Sequence, residues 1–214
     1  TYTKSAENEM SVIYVYNIAT KKEYPVTERW YSSSAPVFST DGKYLIFTSA
    51  RDFNSTYSQT EWNHIYTRMN GVYMAMLAED TPSPLLPTDG AVDAAKKPEG
   101  EVVVKIDPEN LPGRIVKLPL AAGSYRNFFS DGKKVYYAAA GGTKAFDLKT
   151  QKEETVADAS FTITPGSKKA LFARGRQMFV ADFPTAKANL KDAVNTKDMV
   201  AHVDYMEEWA QIYD

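Results

Sequence analysis

The chain has 214 residues, a formal net charge of −2 and no cysteine. That length holds one large domain or two small ones, and the missing cysteine excludes disulfides, thiolate metal sites and a cysteine nucleophile. The near-neutral charge provides no basic field to hold nucleic acid or anionic lipid, and no run of about eighteen apolar residues is available to span a membrane. Fourteen tyrosines and ten phenylalanines lean the composition toward strands, where flat rings pack on a pleated surface.

From the N-terminus, residues 1–9 are polar, carry no hydrophobic signal region and lack an initiator Met, so the chain reads as cut from a longer protein. Ile13-Tyr14-Val15-Tyr16-Asn17-Ile18-Ala19-Thr20-Lys21-Lys22-Glu23 is a strand, a polar turn and the start of another strand. Val37-Phe38-Ser39-Thr40-Asp41-Gly42-Lys43-Tyr44-Leu45-Ile46-Phe47 is a hairpin, because Gly after Asp takes positive φ at little cost. An insertion at 51–70 follows, rich in aromatic residues and Arg. Residues 88–113, rich in Pro, Ala, Lys and Gly, read as an excursion between repeats or as a linker between two modules, with one strand expected at 101–106.

The hairpin pattern then returns. Phe128-Phe129-Ser130-Asp131-Gly132-Lys133-Lys134-Val135-Tyr136-Tyr137 repeats it, and so does the stretch with the Pro165-Gly166-Ser167 turn, 35 residues further on. Ala145-Phe146-Asp147-Leu148-Lys149-Thr150-Gln151-Lys152-Glu153 repeats the strand-turn-strand of residues 13–23, and Met178-Phe179-Val180-Ala181-Asp182 supplies another such strand. One four-stranded unit per roughly 40 residues is the rhythm of a β-propeller. The expected fold is all-β: a partial β-propeller of three to four blades of antiparallel sheet with a short C-terminal α-helix. Residues 10–27 supply the outer half of one blade, 30–87 a second, 114–157 a third and 158–184 most of a fourth.

The tail changes period. Asp204 with Glu207 makes a capping pair, and Met206, Trp209, Ala210 and Tyr213 recur at helical spacing. The helix either packs on the last blade or opens a following domain. The second is the expectation, which divides the chain into a propeller segment, 1–199, and the start of a further domain, 200–214.

No stretch carries recognisable catalytic chemistry. His64, in Trp62-Asn63-His64-Ile65-Tyr66, and His202, before Asp204, each lack a second histidine at ligand spacing. No Gly-x-Ser-x-Gly elbow occurs. Ala140-Gly141-Gly142-Thr143-Lys144 resembles a phosphate loop, but a strand follows it rather than a helix, so it reads as a hairpin turn. The carboxylate pairs Glu7/Glu9, Glu153/Glu154 and Glu207/Glu208 read as solvated faces, and Asn54-Ser55-Thr56 as a chance glycosylation sequon. No catalytic, cofactor-binding or metal-binding residue is assigned, and no cofactor is expected. The insertion at 51–70 holds Arg51, Phe53, Tyr57, Trp62, His64, Tyr66 and Arg68. Such a set suits peptide contact on a rigid scaffold, or else its rings pack against neighbouring blades.

Several segments carry a more specific resemblance. Residues 34–45, then Phe47-Thr48-Ser49-Ala50-Arg51-Asp52-Phe53-Asn54, then Tyr73-Met74-Ala75-Met76-Leu77-Ala78-Glu79-Asp80-Thr81-Pro82-Ser83-Pro84-Leu85 resemble the second propeller of tricorn-like serine proteases. Residues 106–119 resemble that family's strand entering the next blade, and residues 204–214 the helix that opens its catalytic part. The resemblance implies a large serine peptidase that degrades peptides, with propellers ahead of a split core and an inserted PDZ domain. Its catalytic residues all lie beyond residue 214, so none carries over and the segment itself is expected to be silent. The implied partners are peptide or protein substrates through the parent enzyme, with no nucleic acid and no membrane span. An extracytoplasmic, periplasmic place is implied for a bacterial parent. A stand-alone binding module of the TolB type is the alternative. A half-missing first blade and a bare last face also lead to an expectation of self-association.

Overall fold

A computed structural model of the chain describes residues 1–60, 62–86, 102–163, 168–200 and 202–213. Among them, sheet one holds β1 (Tyr2–Ser5), β2 (Ser11–Asn17) and β3 (Lys22–Pro25). Next come β4 (Ser33–Phe38), β5 (Tyr44–Ser49), the small strands β6 (Ser55–Tyr57) and β7 (His64–Tyr66), β8 (Gly71–Met76) and, after a 3₁₀ turn at Leu111–Arg114, β9 (Ile115–Lys117). Sheet two takes the order β4-β5-β8-β9, while β6 and β7 pair only with each other. Sheet three runs β10 (Arg126–Ser130), β11 (Lys134–Ala139), β12 (Gly142–Asp147), β13 (Lys152–Ala157). Sheet four is β14 (Ser160–Ile163), β15 (Lys169–Arg174), β16 (Gln177–Asp182), and helix α1 spans Tyr205–Tyr213. Every pairing is antiparallel between sequence neighbours within a sheet, and the first strands β4, β10 and β14 stand side by side. This is an all-β partial propeller with one short helix.

The core lies between sheets rather than at one centre. Ile13 and Val15 of sheet one pack on Leu45, Phe47 and Tyr73. Ile46 and Met74 point the other way, onto Val135, Tyr137 and Phe146. Tyr136 and Ala145 in turn meet Phe161, Phe172 and Phe179 of sheet four. All six residues of β5 are therefore buried, whereas β15 alternates exposed and buried. A strand covered on both faces reads as a continuous apolar run, and one covered on a single face alternates.

The repeat reaches the hydrogen bonds. Asn17 Oδ1 accepts from the backbone N–H of Ala19 and Thr20, both at 3.0 Å. Asp147 Oδ1 does the same for Lys149 at 3.1 Å and Thr150 at 2.8 Å. Each turn then places a non-glycine residue in the left-handed region, Lys21 at φ 55° and Gln151 at φ 54°. The inner strands share a bulge, with Ala35 and Asn127 both at φ 54°. Asn127 Nδ2 uses the bulge to reach Phe161 O of the next sheet at 2.7 Å. The 140–144 turn is a hairpin, with Ala139 opposite Gly142. Gly142 at φ 119° stands where a Cβ would lie 2.1 Å from Ala157 O, so only glycine fits.

Three sequence expectations change. Residues 2–5 form a strand, giving sheet one three strands; their side chains are exposed, which erased the periodic signal. Ile115–Lys117 completes sheet two instead of opening the third blade, pairing Tyr73 with Lys117 and Ala75 with Ile115. The excursion of 88–113 accordingly sits inside a blade, between its third and fourth strands. Residues 102–106 form no strand, and Val102 and Val104 instead lie against Gly42. The Pro165-Gly166-Ser167 turn falls outside the described residues.

Candidate functional site

Strand β5 ends at Ser49 and β8 begins at the opposing Gly71, so everything between projects from one end of sheet two. Its root is fixed by charge. Arg51 Nε donates to Ser49 Oγ at 3.2 Å, and the guanidinium lies over the rings of Tyr73 at 5.4 Å and Tyr31 at 5.9 Å. Burial pushes the Tyr73 hydroxyl above its ordinary pKa, and Asp52 adds to that. Lys117 Nζ closes on Asp52 Oδ1, while Asp52 Oδ2 is buried with no hydrogen-bond partner. That oxygen lies against Gly71, where a Cβ would approach it to 2.7 Å.

Above the root the insertion is a β-ribbon. Asp52 N–H donates to Met69 O, and Thr67 N–H to Asn54 O, both at 3.0 Å. Ser55 then pairs with Tyr66, and Tyr57 with His64. The rings do not pack on neighbouring sheets. Phe53 meets Tyr66 with centroids 5.2 Å apart, and Tyr57 meets His64 at 4.6 Å. Trp62 at the tip is 98% exposed. Of the two readings of this insertion, packing against other blades is overturned. The ribbon instead presents Phe53, Tyr57, Trp62 and Tyr66 to solvent, with π faces and a tryptophan N–H available for contact.

The other candidates fall elsewhere. His202 is exposed beside the start of α1, where Asp204 Oδ1 accepts from Met206 N–H at 2.9 Å and Glu207 N–H at 3.4 Å. No residue of α1 is buried. Glu153 departs from the solvated-face reading. It accepts from the Tyr137 hydroxyl and from Lys144 Nζ, each at 2.5 Å. Burial raises its pKa, but the bonds from Lys144 and Tyr137 outweigh this and hold it below the usual glutamate value. Burial, with Glu153 alongside, drives the Tyr137 hydroxyl far above the tyrosine range. Both effects are those of a structural polar cluster on sheet three. Among the described residues no group of three or more His, Asp or Glu side chains is placed to hold a metal, and no helix is long and apolar enough to cross a membrane. Sequence reasoning missed Lys117, the partner of Asp52 from 65 positions away; an ion pair across an insertion leaves no local signal.

With this geometry in hand, three likenesses are informative. The family model described as the tricorn protease second beta propeller domain matches residues 1–184. The protein named tricorn protease homolog 2 of Streptomyces coelicolor is 30% identical over 107 residues, which are 47% of this chain and 9% of that protein. The crystal structure of the tricorn protease superposes with a TM-score of 0.73 at 17% identity, over 99% of this chain and 22% of that one. At that identity the superposition establishes the fold. The chain spans a small part of the length of each relative.

Proposed function

The chain belongs to the family of tricorn protease second β-propeller domains, and from that footing we propose that it is a non-catalytic propeller segment of a tricorn-like serine peptidase acting on peptides. The family match across all four sheets carries the reading. Within it the propeller serves as substrate filter or channel wall, its inner strands β4, β10 and β14 standing side by side. The segment contributes no catalytic residue, cofactor or metal, residues 200–214 begin the following domain, and a bacterial parent is extracytoplasmic. Incubated with fluorogenic peptides, the purified chain is expected to give no turnover above buffer. Deleting 51–70 from the full gene product should change the rates for long peptides and spare those for short ones. An unchanged size dependence refutes the filter.

A second reading has its own support in the exposed aromatic ribbon: a stand-alone propeller that binds protein or peptide partners. A full gene product without a serine and histidine core selects it. Under either reading the chain self-associates, because Leu171, Met178 and Val180 leave the outer face of sheet four apolar and exposed. A clean monomer in sedimentation at micromolar concentration overturns that.

A further inference from the structure

The two ends of the sheets differ in their cations. One end holds the starts of β4, β8 and β10 and the turn from β15 to β16, since Ser33 faces Ser49, Ser49 faces Gly71, Arg126 faces Ala138 and Arg174 faces Gln177. The connection from sheet one arrives there too, where Ser11 N–H donates to Ser32 Oγ at 3.3 Å, and Gly123 N–H joins Asn70 O at 2.8 Å across sheets two and three. Six of the seven arginines lie at this end: Arg29, Arg51, Arg68, Arg126, Arg174 and Arg176. Only Arg114 lies at the other, where its guanidinium bonds Met76 O and Leu77 O. The opposite end carries the Asp-Gly and Asx turns, and with them Lys21, Lys43, Lys133 and Lys149.

Most of the arginine charge is unspent. Arg174 pairs with Asp158 at 3.0 Å, and Asp52 is taken by Lys117. Among the described residues no ion pair forms on Arg51, Arg68, Arg126 or Arg176, and the last three are exposed. Among the described residues, the carboxylates of this end without an ion pair are Glu7, Glu9 and Glu28, on sheet one and its connection to sheet two, and Asp198, beyond the bridge of Phe179 with Ala193, where Asn195 Nδ2 donates to it at 3.1 Å. Over sheets two to four, Arg51, Arg68, Arg126 and Arg176 thus outnumber the unpaired carboxylates of the described residues, and the exposed rings of Tyr31, Phe53, Tyr57, Trp62 and Tyr66 stand beside them.

Arginine, tyrosine and tryptophan are the side chains that carry most binding energy at protein interfaces. The guanidinium fork matches a carboxylate in a way an ammonium does not. We propose that the arginine end of sheets two to four docks an acidic protein segment, in which carboxylates meet Arg68, Arg126 and Arg176 and interspersed apolar side chains lie on the rings of the β6–β7 ribbon. A peptide fits this better than a nucleic acid, because the chain as a whole is net negative and Glu7, Glu9 and Glu28 flank these arginines. The inference goes beyond the peptidase reading and does not depend on it.

The test is fluorescence anisotropy on the 214-residue chain with a labelled peptide alternating Glu and Leu, against its Lys-Leu counterpart and single-stranded oligo(dT). The Glu-Leu peptide should bind and the Lys-Leu peptide should not, with affinity falling several-fold as salt shortens the Debye length from about 14 Å to about 6 Å. The triple substitution Arg68→Asn, Arg126→Ala, Arg176→Ala should weaken binding by about tenfold or more, the equivalent of roughly 1.4 kcal/mol, with unchanged circular dichroism. Asn is chosen because position 68 has φ 52°. Lys21→Ala, Lys133→Ala, Lys149→Ala at the opposite end should leave binding within about twofold, as expected for charges outside the contact. Trp62→Ala gives a second variant that leaves the arginines intact, and it too should weaken binding. Failure of the Glu-Leu peptide to bind, equal loss in the lysine variant, or oligo(dT) binding as tightly overturns the proposal.

Discussion

Strands β5 and β15 occupy the same place in their sheets, each the second strand of a hairpin, yet they are built differently. Both faces of β5 are buried, between sheets one and two on one side and two and three on the other. Strand β15 buries Ala170 and Phe172 against sheet three and leaves Leu171 39% exposed. In a stack of sheets an inner sheet has no solvent side, so stability there has to come from unbroken apolar strands, at about 1.5–3 kcal/mol per fully buried large side chain. The end sheet keeps the ordinary amphipathic code.

The widest separation should come from placing a charge on each strand. Ile46→Asp puts a carboxylate between sheets two and three with no partner, and the cost should exceed about 4 kcal/mol, enough to prevent folding. Leu171→Asp should cost about 1 kcal/mol or less. Urea denaturation of the two variants measures both, and similar midpoints would mean that sheet four is covered as fully as sheet two.

A smaller contrast lies within one turn of sheet three. Gly141 has φ 89° and open space around its Cβ position, whereas at Gly142 the Cβ meets backbone of the β13–β14 connection. Gly141→Ala should cost about 1–2 kcal/mol of left-handed strain. Gly142→Ala should cost about 3 kcal/mol or more, since Ala157 O and Ala159 N belong to main chain that cannot yield cheaply. Thermal melts of the two check this, and equal shifts would show that the connection moves freely.

Asn127 tests the joint between an inner sheet and the end sheet. Asn127→Ala removes the bond to Phe161 O and puts alanine at φ 54°, for about 1–3 kcal/mol. Asn127→Gly keeps the backbone relaxed and removes only the bond. The difference between the two in chemical denaturation separates strain from the inter-sheet tie.

These contrasts also mark how far the sequence could be read. The Asp41-Gly42 and Asp131-Gly132 turns, and the apolar strands beside them, gave the repeat and the blades, because turn chemistry and strand period are local. The closing strand of sheet two was not legible. It is the three residues Ile115–Lys117, too short for a period, and it pairs with β8 across an insertion of about 40 residues that carries no local sign of its partner. Strand β1 escaped for the opposite reason, since all four of its side chains are exposed. At the candidate site the aromatic insertion was visible as composition. Its exposure was not, because rings that pair with one another look in sequence like rings that pack on a core. The gathering of arginines at one end is a property of topology, and it emerges only once strand register assigns each residue to an end.

The smallest expected effect compares sheets one and three through their matching Asx turns. Asn17 and Asp147 accept the same two backbone bonds, but only Asp147 can lose its acceptor charge. The bond from Thr150 N–H holds the Asp147 carboxyl below its ordinary value of 3.8; burial opposes it, and the Thr150 side chain, Lys149 N–H and Lys134 add to the lowering. A depressed folded pKa contributes stability that is fully present above the unfolded value and is lost as pH falls through the folded value. The Asp147 turn should thus weaken below about pH 4, while the Asn17 turn is insensitive there. Asp147→Asn should retain the turn geometry at neutral pH, with a slight loss because the acceptor is no longer charged. It should also flatten part of the decline in stability as pH falls below about 4. Glu153 is also held below its usual pKa, by Lys144 and Tyr137, and its protonation contributes to the same acid decline, so the measurement belongs in a Glu153→Gln background. There, urea midpoints across that pH range should fall less steeply with Asn at position 147 than with Asp. Parallel curves would show that the two turns are equivalent in acid and that the carboxylate adds nothing the amide does not.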